Sequence, residues 1–94
     1  MGKYFVYIIE SEKGRHYIGQ TRDLYDRLTR HNSNRSKATK NKGIWNLVIS
    51  FAVPTRSEAI LLEQKLKKMK NPGRAIKYLQ SLVQSIPADK SGGS

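Results

Sequence analysis

The run Tyr4-Phe5-Val6-Tyr7-Ile8-Ile9 narrows the folds open to this chain more than any other feature. Its β-branched and aromatic residues read as a strand over Tyr4 to Glu10. A strand with one wet face alternates apolar and polar residues, and this run does not alternate. Both of its faces must therefore be buried, which makes it a central strand.

The rest of the sequence supplies its neighbours. Ser11-Glu12-Lys13-Gly14 is a polar turn in which Gly14 is available for positive φ. Arg15 to Gln20 returns as a second short strand, completing an antiparallel hairpin. Thr21 or Asp23 caps a helix over Leu24 to Asn32. Leu24 and Leu28 lie four apart on its core side, and Arg27 and His31 form the neighbouring stripe. Asn32 to Gly43 is an exposed basic loop carrying Arg35, Lys37, Lys40 and Lys42. Ile44 to Val53 resembles a third strand, which Pro54 ends. Thr55-Arg56-Ser57-Glu58 is a capping-box sequence opening a helix that runs to about Lys70. Ala59, Leu62, Leu66 and Met69 give that helix an apolar face. Asn71-Pro72-Gly73 stops it, and Ala75, Ile76, Leu79, Leu82, Val83 and Ile86 define a last amphipathic helix. The expected fold class is α+β, a three-stranded antiparallel sheet flanked by helices in the order β-β-α-β-α-α. Residues 1–87 are expected to form a single domain, and residues 88–94 a flexible C-terminal tail.

Composition then limits the chemistry. A chain of 94 residues suits one modest core, and a hydrophobic share of 37% makes that core thin. The absence of cysteine excludes disulfide scaffolds, zinc-thiolate sites and thiol catalysis. No apolar run approaches the roughly 18 residues of a membrane span, so a cytoplasmic protein without membrane attachment is expected. The formal net charge of +11 favours a polyanionic partner, of which nucleic acid is the commonest.

An ordered set of side chains contains the parts that phosphodiester hydrolysis needs. Tyr7 offers a phenol that takes a proton from water, once nearby cations lower the cost of its anion. Tyr17, on the paired strand, assists the water or binds phosphate; the alternative for both rings is core filling. Arg27 offers a planar fork for phosphate oxygens, or else pairs with Asp23. His31, one turn on, contacts the scissile phosphate or shuttles a proton, or else interacts with the helix dipole. Glu63 follows Leu62 of the apolar face, so it belongs at the edge of the core. There it suits one divalent cation, the alternative being an ion pair with Lys67. His16 points to the face opposite Tyr17 and is left out. Trp45 stacks on an unpaired base or fills the core.

The order Tyr7, Tyr17-Ile18-Gly19, Arg27, His31, Glu63 resembles the GIY-YIG endonuclease superfamily, above all its small stand-alone bacterial members. The likeness extends over Tyr4 to Ile86 and includes the runs YIGQT, DRLTRHN and TRSEAILLEQKLKK. The first motif reads Val6-Tyr7-Ile8 in place of Gly-Ile-Tyr, and Asn71 matches a family asparagine by order alone. The resemblance implies metal-dependent hydrolysis of DNA phosphodiester bonds with one Mg²⁺ or Mn²⁺ ion. It also implies that Tyr7, Tyr17, Arg27, His31 and Glu63 are catalytic and that Glu63 holds the metal. Arg35, Lys37, Lys40, Lys42 and Lys67 are expected to contact nucleic acid, with Lys65, Lys68 and Lys70 near them. Phosphate contacts carry no sequence information, so a weakly sequence-selective or structure-selective enzyme of DNA repair or recombination is expected, with RNA not excluded. The alternative is a basic nucleic-acid-binding module of the same fold that does not cut.

Overall fold

The computed structural model describes residues 3–33 and 44–84. The stretch carrying Arg35, Lys37, Lys40 and Lys42 and the tail 88–94 lie outside the described residues. Three strands and three helices follow in the expected order: β1 (Tyr4–Ser11), β2 (His16–Thr21), α1 (Leu24–Asn32), β3 (Trp45–Val53), α2 (Arg56–Lys68) and α3 (Pro72–Gln84). The strands form one antiparallel sheet with β1 in the middle, in the order β2-β1-β3.

The apolar run of β1 feeds both faces of that sheet. Val6 and Ile8 pack with Ala59 and Leu66 of α2 and with Ala75 and Leu79 of α3. Tyr7 and Ile9 project the other way, against Trp45, Tyr17, and Leu24 and Leu28 of α1. Val6, Tyr7, Ile8 and Ile9 are each at most 1% exposed. Burying a side chain of this size stabilises the fold by about 1.5–3 kcal/mol, so this one strand anchors both layers. Trp45, 2% exposed, is a core residue, which resolves its two readings.

Local chemistry sets the ends of the elements. Gly14 takes φ +83° in the hairpin turn, where a side chain would be strained. Asp23 rather than Thr21 caps α1, its carboxylate accepting from the Asp26 amide at 2.9 Å. Thr55 caps α2 by accepting from the Glu58 amide at 3.2 Å. Asn71-Pro72-Gly73 does more than stop α2, because α3 begins at Pro72. The Asn71 side chain accepts from the Arg74 amide at 3.1 Å, and Pro72 occupies a first-turn position where its missing N–H costs nothing. The junction between α1 and β3 is clamped by Asn32. Its amide donates to the Trp45 carbonyl at 3.0 Å and accepts from the Trp45 N–H at 2.6 Å. On β3 the pairing slips between Ile8 and Ile9, which face Ile49 and Leu47, so Val48 is a bulged residue on an edge strand. A bulge there blunts the edge against pairing with another strand.

The register also explains Gly19, which lies directly opposite Tyr7. A Cβ at position 19 would stand 2.6 Å from the Tyr7 hydroxyl oxygen and 2.8 Å from Cζ. Glycine is required here for space rather than for a left-handed backbone. Gly19→Ala is expected to lower the free energy of unfolding by about 1–3 kcal/mol, the usual range for an overpacked core. Urea denaturation checks this, and an unchanged midpoint would show that the Tyr7 ring is free to move aside.

Candidate active site

Tyr7 and Tyr17 reach one site because of their register. Tyr7 faces Gly19 and Ile9 faces Tyr17, so the two tyrosines are diagonal neighbours on one sheet face. Their ring centroids are 6.4 Å apart. His31 arrives from the last turn of α1, with its ring 6.0 Å from that of Tyr7 and 4.9 Å from that of Tyr17. It is 1% exposed, and its Nε2 lies 3.0 Å from the Tyr7 hydroxyl. The histidine is therefore buried in the site rather than solvated at a helix end.

Electrostatics bias the protonation states on both sides of that hydrogen bond. Burial pushes the Tyr7 phenol well above its ordinary value of 10.0, and the neighbouring Tyr17 adds to the rise. The Arg27 guanidinium opposes it through its charge and a hydrogen bond, while the Glu63 carboxylate adds a smaller push upward. Burial lowers His31 below its ordinary 6.5, and the Arg27 charge lowers it further. A neutral imidazole carries one N–H: with it on Nδ1, Tyr7 O–H donates to His31 Nε2, and with it on Nε2 the ring donates to the phenol oxygen. The first tautomer makes His31 a proton acceptor for Tyr7, whose oxygen lies between the Arg27 guanidinium and that ring.

Arg27 is half-buried. Its alternative partner Asp23 is committed to capping α1, and Asp26 pairs instead with Arg30 at 3.0 Å. Glu63 sits on α2 at the core edge, its side chain 19% exposed. The Lys67 ammonium lies 2.8 Å from its Oε2, so the carboxylate already holds a cation. Among the described residues no three His, Cys, Asp or Glu side chains come together as a cage. Glu63 offers a hard oxygen donor at this edge, which suits one divalent ion keeping most of its waters.

Two clefts flank this centre along the outer edge of β2. At one end His16, Tyr17 and Ile18 face Leu66, Lys67, Lys70 and Pro72 across a mostly apolar cleft of about 310 Å³. At the other, Tyr4, Thr21, Arg22, Arg27 and Arg56 line a polar cleft of about 300 Å³. Nothing in the spacing of residues singles out Arg22 and Arg56; Arg56 reads there only as part of a capping box. His16, set aside, faces Glu10 at 3.8 Å. The Asn71 side chain is spent on capping α3, and Lys65 lies 5.1 Å from the centre of the Tyr78 ring.

The two shifted groups make stability depend on pH in opposite directions. The unfolded chain protonates His31 near pH 6.5, whereas the folded chain keeps it neutral. That contribution is complete above pH 6.5 and is lost as pH falls below it. Tyr7 stays protonated in the fold, so its contribution is present below pH 10 and is lost as pH rises beyond. Urea midpoints from pH 5 to 11 should fall at both ends. His31→Gln should flatten the acid limb and Tyr7→Phe the alkaline one. An acid limb unchanged in His31→Gln would mean that folding leaves the His31 pKa unshifted, and a steeper one that the fold favours the charged ring.

The sequence matches the GIY-YIG catalytic domain family over residues 3–78, a span that includes Tyr7, Tyr17, Arg27, His31 and Glu63. It is 34% identical to the UPF0213 protein BH0048 of Halalkalibacterium halodurans over 67 residues, covering 70% of this chain and 71% of that one. It is also 34% identical to a UPF0213 protein of Streptococcus pneumoniae over 71 residues, covering 74% and 72% of the two chains. The solution NMR structure of UPF0213 protein BH0048 superposes with a TM-score of 0.52 at 29% identity, over 98% of this chain and 97% of that one. Fold, motif order and relatives agree: this chain belongs to the GIY-YIG catalytic domain family, as a small protein akin to the UPF0213 group.

Proposed function

We propose that this protein is a metal-dependent endonuclease that hydrolyses DNA phosphodiester bonds. The observation that carries the reading is the buried Tyr7–His31 hydrogen bond, 3.0 Å long and flanked by Arg27. A phenol is a poor base alone, but this one can pass its own proton on. As water attacks phosphorus, its proton moves to the Tyr7 oxygen and the Tyr7 proton moves to His31 Nε2. The new P–O bond forms, the P–O bond to the leaving group breaks, and the leaving oxygen takes a proton from solvent. Tyr7 ends neutral and His31 ends as imidazolium. Arg27 disfavours that imidazolium in the free protein, so pairing Arg27 with a phosphate makes His31 more basic when substrate is present.

The remaining roles follow from exposure. The more accessible Arg27 and Tyr17 meet the phosphate, and the Tyr7 hydroxyl behind them takes the proton of the attacking water through its hydrogen bond to His31. Glu63 would hold one divalent ion, Mg²⁺ or Mn²⁺, in place of its partner Lys67, and the ion would supply charge neutralisation to a bound phosphate. Lys67, so released, would contact the backbone. The apolar cleft beside Tyr17 supports a preference for unpaired, branched or damaged strands, because a splayed base finds an aromatic and aliphatic wall there. Arg35, Lys37, Lys40 and Lys42 extend the phosphate contacts. Such contacts position a strand without reading it, which makes selectivity structural rather than sequence-based.

One observation favours a second reading, a nucleic-acid-binding module that does not cut. The Lys67–Glu63 pair at 2.8 Å neutralises the carboxylate that the metal requires. The two readings separate on labelled single-stranded, duplex and branched DNA with and without Mg²⁺ or Mn²⁺. Glu63→Ala should abolish metal-dependent cutting while leaving binding within about twofold. Tyr7→Phe should keep the fold and lower the cutting rate about 10²–10⁴-fold, the range for losing a general base. Tight binding without cutting on every substrate and metal would establish the second reading.

A further inference from the structure

Three arginines from three separate segments converge beside the candidate centre. Arg22 comes from the turn after β2, Arg27 from α1 and Arg56 from the first turn of α2. They line one cleft of about 300 Å³ together with Tyr4, Gln20, Thr21 and Asp23. The Arg22 guanidinium lies over the Tyr4 ring, 5.8 Å from its centre, within cation–π range. The cleft has one carboxylate, Asp23, and that group accepts from the Asp26 amide at 2.9 Å to cap α1. Among the described residues none of the three guanidinium groups forms an ion pair. Converging like charges raise the energy of the free protein, and a bound anion removes that repulsion. Forked guanidinium donors match the tetrahedral oxygens of phosphate.

We infer that this cleft is a second phosphate seat, in which Arg22 and Arg56 hold a phosphate next to the one at Tyr7 and Arg27. The inference rests on the nuclease reading for its account of the neighbouring phosphate, but the seat itself is a binding property. Tyr7 and its partner Gly19 lie between the two clefts along β2, so a strand entering here crosses the centre toward Tyr17. Arg22 and Arg56 are positioning residues: they set where along the strand the reacting phosphate falls. The occupant is a phosphate group, either an internal diester of the strand or a monoester at its end.

The test measures binding in metal-free buffer, where no cutting occurs. Single-stranded oligonucleotides carrying one neutral methylphosphonate, moved stepwise along the strand, are titrated into the wild-type protein and into Arg22→Gln/Arg56→Gln. The two arginines are exposed, so the double variant keeps the fold, which circular dichroism checks. A methylphosphonate at one position beyond the centre should weaken wild-type binding about tenfold and the double variant less than twofold. The variant's salt slope should also fall by about 0.7, the loss of one single-strand phosphate contact. A companion series with 5′- or 3′-phosphorylated ends assigns the occupant: a gain seen in the wild type and lost in the variant marks a terminal monoester. Inorganic phosphate should shift the Arg22 and Arg56 Nε–H signals of the ¹⁵N-labelled protein. Equal sensitivity of both proteins at every position, or arginine signals unmoved by phosphate, overturns the seat. Failure to cut DNA under any metal would remove the nuclease reading while leaving these binding outcomes unaffected.

Discussion

The hydrogen bond between Tyr7 and His31 organises both the packing and the chemistry of this protein. It ties the central strand to the last turn of α1, and it does so inside the core rather than at the surface. Its geometry places a demand on the next strand. The Tyr7 hydroxyl fills the volume where residue 19 would carry a Cβ, so only glycine fits opposite it. Burial then favours the protonated phenol and the neutral imidazole. One contact thus links strand register, residue choice at position 19 and the protonation states on which the proposed chemistry relies.

Around that contact the sheet separates its two tasks. Val6 and Ile8 send apolar side chains toward α2 and α3, where Leu66 and Leu79 complete a conventional hydrophobic layer. Tyr7 and Ile9 face α1, and the layer there mixes aromatic rings with a histidine. Polar groups are costly in such a place unless they are paired, and here they pair with each other. At the margin of β2, Arg22, Arg27, Arg56 and Lys67 border the two clefts. A folding core and a cationic edge are accommodated in a small sheet because β1 is buried on both sides and β2 is not.

Much of the fold was legible in the residues. The unbroken Tyr4–Ile9 run required a central strand, and strong periodicity and caps placed α1 and α2 near their observed limits. Asn71-Pro72-Gly73 both stops α2 and opens α3, because Asn71 caps and Pro72 suits a first turn, a double role that the apolar spacing from Ala75 onward does not reveal. The slip that leaves Val48 unpaired on β3 has no one-dimensional signature, nor does the clamp of Asn32 on Trp45. For the site, order and residue type identified side chains that the fold draws toward β2. Burial was the missing quantity. Whether His31 lies in solvent or against two tyrosine rings depends on the tilt of α1 over the sheet, which spacing along a helix does not specify. The same holds for Arg22 and Arg56, distant in sequence and joined only where the turn after β2 and the start of α2 line one cleft.

The protonation of His31 is the quantity on which this account turns, and ¹⁵N NMR of the imidazole reads it directly. With Nε2 accepting from Tyr7, the ring should be neutral with its proton on Nδ1, and it should remain so as the pH falls below 6.5. Tyr7→Phe should abolish the hydrogen-bond shift of the Nε2 resonance. A doubly protonated ring at neutral pH, or a neutral ring carrying its proton on Nε2, would contradict the account, because neither can accept a proton from Tyr7.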